Sequence, residues 1–173
     1  MKSLDATVAY VGLGANQGDA RVALDAALSR IRGLPDLAVS AVSPGYATEP
    51  QDKADQPWFH NRVAALSVGP SWTPEDLMRA LLDIERAMGR PPVEERERFG
   101  PRVIDLDLLI FGGEVRETSF LTLPHPRMRR RAFVLVPLRD VAPDMVFADG
   151  EGIEAALAKI PFKIEGNTIF QDF

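Results

Sequence analysis

The stretch Arg98-Phe99-Gly100-Pro101-Arg102-Val103-Ile104-Asp105-Leu106-Asp107-Leu108-Leu109-Ile110-Phe111 decides how the chain is read. From Val103 onward apolar β-formers run on, broken only by two carboxylates placed two residues apart. Such a run reads as a strand buried on both faces. Residues two apart in a strand share a face and sit roughly 6.5 Å apart along the chain, so Asp105 and Asp107 present their carboxylates side by side. Unpaired, they repel. Two Mg2+ ions about 3.5 to 4 Å apart can be gripped by such a pair and shared with phosphate oxygens. Arg102 adds a guanidinium able to bind phosphate bidentately. The plain alternative is two acids on the solvent face of an edge strand, which need no metal.

Upstream, Thr73-Pro74-Glu75-Asp76 reads as a helix start: Thr73 as N-cap, Pro74 at the first helical position, acids facing the dipole. Leu77, Leu81, Ile84 and Met88 form the buried stripe and Gly89 ends the helix, leaving Glu85 at the stripe's edge, in a cleft or half exposed. Arg90 to Arg102 has mixed charge, Pro91-Pro92 and no apolar periodicity, so it reads either as a lid beside the aspartate strand or as a solvated surface loop. Downstream, Gly112-Gly113 makes a turn. His125, between two prolines, sits in a constrained extended backbone that suits a positioned ligand, with a packing histidine as the alternative. Arg127, Arg129, Arg130 and Arg131 can bind phosphates, nucleic acid or nothing. Phe133 to Leu138 reads as an apolar strand-like or buried segment, Ile153 to Ile160 as a short helix, and Phe162 to Phe173 shows some alternation.

In the first half, Thr7 to Leu13 reads as a strand. Gly12-Leu13-Gly14-Ala15-Asn16-Gln17-Gly18-Asp19 matches neither G-x-G-x-x-G nor the P-loop, so it reads as a tight strand-to-helix turn with Asp19 as N-cap. Leu24, Ala27, Leu28 and Ile31 mark the helix, which Gly33 and Pro35 end. Leu37 to Thr48 reads as a strand interrupted by Pro44-Gly45, and Glu49 to Pro57 as a polar loop. In the strand Trp58 to Val68, Phe59, Asn61, Val63 and Ala65 share a face. Asn61 is the odd residue there: its amide can read the edge of a heterocycle with Phe59 stacked on the ring, or be satisfied by a nearby loop.

The 173 residues, 46% of them hydrophobic, fit one globular domain. The absence of cysteine excludes disulfides and thiolate sites. A net charge of −5 argues against a general nucleic-acid or membrane binder, while arginines at 90–102 and 127–131 allow a basic cleft for a small anion. Neither a signal peptide nor a membrane helix is read, which points to a cytoplasmic protein.

With these residues in hand, the chain resembles the 6-hydroxymethyl-7,8-dihydropterin pyrophosphokinase family over roughly residues 7 to 150. The resemblance rests on an ordered set: Val8-Ala9-Tyr10-Val11-Gly12-Leu13-Gly14-Ala15-Asn16, Asp55-Gln56-Pro57 leading to Asn61, Glu85, Gly89-Arg90, Gly100 to Asp107, and Leu123-Pro124-His125. It implies an α+β, ferredoxin-like βαββαβ core with a largely antiparallel sheet and helices on its faces. It implies transfer of pyrophosphate from ATP to 6-hydroxymethyl-7,8-dihydropterin by a monomer, with two Mg2+ ions held by Asp105 and Asp107. Arg90 and Arg102 match catalytic arginines. Glu85, Arg90, Arg102, Leu108, Thr122, His125 and Arg131 fall with the ATP-binding positions, and Thr48, Phe59, Asn61 and Phe133 with the pterin pocket. Departures are mild: Glu49 stands where a proline or small residue is frequent, Ala15 for a common serine, Phe99 for a usual tryptophan. In the Arg90 to Phe99 loop, both Arg96 and Arg98 are candidates for a second lid arginine. Two other classes fit Asp-x-Asp less fully: a two-metal nucleotidyltransferase with a palm-like sheet, and a non-catalytic ferredoxin-like ligand-binding domain.

Overall fold

The computed structural model describes residues 6–50, 54–96 and 100–172. In chain order the principal elements are β1 (Thr7–Ala15), α1 (Ala20–Arg32), β2 (Leu37–Val42), β3 (Tyr46–Thr48), β4 (Phe59–Val68) and α2 (Pro74–Ala87). There follow β5 (Asp105–Phe111), β6 (Arg116–Glu117), β7 (Thr122–Leu123), α3 (Ala132–Val141), α4 (Ile153–Ala158), β8 (Phe162–Glu165) and β9 (Thr168–Gln171). β1 lies between antiparallel β4 and antiparallel β5. β2 and β3 pair in succession with the far edge of β4. The hairpin β8–β9 extends the sheet through a parallel pairing of β9 with β3, so the sheet is mixed. No helix among the described residues is long and apolar enough to cross a membrane.

The capping residues behave as their chemistry requires. The Asp19 carboxylate accepts from the Val22 N–H and the Thr73 hydroxyl from the Asp76 N–H, each satisfying a free donor in a helix's first turn. Leu24, Ala27, Leu28 and Ile31 of α1 and Leu77, Leu81 and Ile84 of α2 bury against Ala9, Val11, Leu13, Leu66, Leu106 and Leu108 of the sheet. On the opposite face Leu135 and Leu138 of α3 and Leu157 of α4 pack with Tyr46, Val63, Leu109 and Met128. One sheet thus carries a core on each face, as layered folds do.

Four expectations change. β1 does not stop at Leu13: it runs to Ala15, so Gly12 and Gly14 are strand residues, and only Gly18 of the supposed turn has a positive φ, 64°. The run Phe133 to Leu138 is helical rather than strand-like, buried from Val134 on with Phe133 half-buried; an apolar run with no period fits a buried helix as well as a strand, and Pro137 did not prevent it. Glu85 is not half exposed but 1% exposed. In β5 the helix-side face is buried throughout, whereas Asp105 and Asp107 on the other face border a cleft. A bulge opposite Tyr10 and Val11 shifts the parity, so that Phe111 rather than Ile110 joins Leu106 and Leu108 beneath the helices.

Candidate active site

Register builds the cleft. Asn61 of β4, Gly14 of β1 and Asp105 of β5 stand in one row across three strands, and Val63, Gly12 and Asp107 in the next. Paired residues share a face, so an amide and two carboxylates look out on the same side with a strip lacking side chains between them. A Cβ on Gly14 would lie 2.8 Å from Asn61 Oδ1, and one on Gly12 3.9 Å from Asp107 Cβ. The rings of Phe59 and Phe133 line the amide end, and the cavity between the walls is narrow, about 40 Å3. Asn61 is held in place: its Nδ2 donates to Thr48 Oγ1 at 2.7 Å.

The carboxylate end is braced by arginines. Arg90 Nη1 lies 2.7 Å from both Asp105 Oδ1 and Glu85 Oε1, and Arg102 Nη1 lies 3.1 Å from Asp105 Oδ2. Glu85 Oε1 also accepts the Leu106 N–H at 2.8 Å, tying α2 to the strand between the two aspartates. Burial pushes the Glu85 carboxyl up. Asp107 is pushed up to about 7, first by burial and then by the charge of Asp105, against the pull of Arg131.

A paired set of hard oxygen donors, where burial and mutual repulsion disfavour a second bare charge, fits a divalent cation such as Mg2+, which would offset both. Among the described residues no group of three or more His, Cys, Asp or Glu could complete a metal cage. Mg2+ usually completes its shell with phosphate or water oxygens.

His125 flanks this end. Its backbone N–H bonds Leu109 O at 2.9 Å, and its Nδ1 accepts the Arg127 N–H at 3.2 Å, which leaves Nε2 as the donor of a neutral ring. Burial, then Arg131, depresses its pKa to about 4. The Arg131 guanidinium lies 5.4 Å from the centre of the Phe133 ring, so phosphate-type and aromatic groups meet at the start of α3.

A family model, 7,8-dihydro-6-hydroxymethylpterin-pyrophosphokinase (HPPK), matches residues 10–143. The chain belongs to the HPPK family. It is 46% identical over 154 residues to the 2-amino-4-hydroxy-6-hydroxymethyldihydropteridine pyrophosphokinase of Methylorubrum extorquens, covering 89% of this chain and 94% of that protein. The Pseudomonas aeruginosa protein of the same name is 44% identical, with 89% and 92% covered. Among solved structures, wild-type Plasmodium falciparum HPPK-DHPS with pteroate superposes with a TM-score of 0.66 at 12% identity. That match covers 98% of this chain and 48% of the other, so this chain spans about half the length of that protein, and the likeness is one of fold.

The HPPK match takes in every candidate site residue. The side chain of Leu108 lies in the helix-side core, away from the cleft. Thr122 is exposed on β7, beside β5. Arg96 donates from Nε to Pro91 O at 2.7 Å, while Arg98 lies outside the described residues. Sequence reasoning gave no role to Asn16, which is 3% exposed. Its Oδ1 accepts the Arg102 N–H at 2.7 Å, and its Nδ2 donates to Gln56 Oε1 and Pro57 O at 3.0 and 2.9 Å. One buried amide thereby joins the loop before β4 to the loop before β5; an asparagine just past an apolar strand was the available signal.

Proposed function

We propose that the chain transfers the terminal diphosphoryl group of ATP to the hydroxymethyl oxygen of 6-hydroxymethyl-7,8-dihydropterin in folate synthesis. The observation that carries this is the glycine strip. It sets an aromatic-and-amide half against a carboxylate-and-arginine half in one cleft, as a flat heterocycle and a polyphosphate each require. Phe59 and Phe133 sandwich the ring, Asn61 reads its edge, and Thr48 fixes the amide. Glu85, Arg90, Arg102, His125 and Arg131 hold or orient the ATP phosphates, with Thr122 and the backbone at Leu108 near the adenine.

Asp105 and Asp107 are the residues to hold two Mg2+ ions, whose chemistry would be to neutralise phosphate charge and acidify the attacking hydroxyl. The pterin oxygen bonds to the β-phosphorus, the bond from that phosphorus to the α,β-bridging oxygen breaks, and AMP leaves. The hydroxyl proton passes to solvent or phosphate, since among the described residues no side chain stands as an obvious base. Arg90 and Arg102 offset charge gathering on the transferred group, and an arginine of the loop, Arg96 or Arg98, closes over it to exclude water. The fold reading that accompanies this is a single ferredoxin-like βαββαβ domain, monomeric and cytoplasmic, with β8–β9 as an appendage. Separation of nucleotides after incubation with Mg2+ and ATP tests the reaction: AMP appears only when the pterin is present. Release of pyrophosphate in place of AMP would mean nucleotidyl transfer, and binding of ATP without consumption a binding domain.

A further inference from the structure

The hairpin β8–β9 lies beyond residues 10–143, the part matched by the family model, and the mechanism above makes no use of it. Yet β9 reaches three walls of the pterin end. Ile169 pairs in register with Thr48, whose hydroxyl holds Asn61. The Phe170 ring meets Trp58, the residue before Phe59, edge-on at 5.8 Å. Gln171 uses both ends of its amide on the other wall: Nε2 donates to Arg130 O at 2.8 Å, and Oε1 accepts the Ala132 N–H at 2.8 Å. Those bonds straddle Arg131 and stop one residue short of Phe133.

The local sequence offers nothing equivalent. The first helical N–H groups of α3 need acceptors, and the side chain at the N-cap, Arg131, makes no capping bond. An unpinned α3 start would be free to shift or fray, carrying with it a guanidinium at the phosphate end and a ring at the pterin end. A side-chain amide that satisfies one donor and one acceptor of the same segment fixes both its position and its direction, as a strand partner would.

We propose that Gln171 is a positioning residue, pinning the Arg130–Ala132 backbone so that Arg131 and Phe133 are set against the carboxylates and against Phe59. The proposal rests on the pyrophosphokinase reading. Gln171→Met keeps the volume and removes both bonds. It raises the KM for the pterin about tenfold while kcat stays within about twofold, the size expected for a mispositioned contact rather than a lost chemical group. Gln171→Glu keeps the acceptor for the Ala132 N–H but sets a carboxylate against the Arg130 carbonyl, and falls between parent and Gln171→Met. Hydrogen exchange at the Ala132 amide rises about tenfold in Gln171→Met. An active parent whose Gln171→Met variant keeps its KM for both substrates, whatever happens to its melting temperature, overturns the clamp alone. A parent that makes no AMP overturns the pyrophosphokinase reading and the clamp with it.

Discussion

Gly14→Ala places a methyl 2.8 Å from Asn61 Oδ1, where carbon and oxygen settle near about 3.5 Å, so the amide must retreat by more than about half an ångström. Asn61 is 8% exposed and its other end is bonded to Thr48 at 2.7 Å, which leaves rotation of the side chain as the way out. That rotation breaks the bond to Thr48, worth about 1 kcal/mol of stability, and turns the amide away from the edge it reads. Loss of one or two ring-edge hydrogen bonds lowers pterin affinity about 10- to 100-fold and leaves ATP affinity as it was. Titration of each ligand separately against the purified variant, with a melting curve beside it, measures the three quantities. Gly12→Ala is the control, since its methyl meets nothing nearer than 3.7 Å and the variant keeps the parent's melting temperature. A Gly14→Ala chain that binds the pterin as the parent does would refute the reasoning.

Asn16→Ala leaves the Arg102 N–H without its acceptor and frees the Gln56–Pro57 loop, so kcat falls about tenfold or more in steady-state assays. Asn16→Asp retains the acceptor but opposes a carboxylate to two oxygens, and its melting temperature falls as well. His125, depressed to about 4 from 6.5, binds its proton more weakly folded than unfolded. It therefore contributes stability that is complete above pH about 6.5 and is lost as pH falls towards about 4. Melting temperature against pH in His125→Gln is flatter across that window; an unchanged slope would remove the histidine from the account. Asp107→Asn removes a charge that burial and Asp105 disfavour, so without added metal the variant melts no lower than the parent, while turnover drops about a thousandfold or more. Parent-like turnover would end the metal assignment.

What could be read from the sequence was what local chemistry encodes. Thr73-Pro74 and Asp19 cap helices by contacts three residues away, and the aspartates of β5 share a face because a strand alternates. Gly12 and Gly14 were misjudged because glycine is a turn signal in isolation. Only the register with Asn61 and Asp105 shows them as the floor of a cleft. Glu85 looked like an edge residue because the groups that permit its burial, Arg90 and the Leu106 N–H, come from the following loop and from β5. The grip of Gln171 on α3 crosses 41 and 39 residues of chain, a distance over which side-chain pairing leaves no pattern.

The central claim is that one cleft passes an intact diphosphoryl group between a nucleotide and a pterin. ATP labelled at the γ-phosphorus, incubated with Mg2+ and 6-hydroxymethyl-7,8-dihydropterin, tests it most directly. The account predicts that the label enters a pterin diphosphate, with one AMP formed for each. Label entering a pterin monophosphate with ADP as co-product, or remaining in free pyrophosphate, would contradict it.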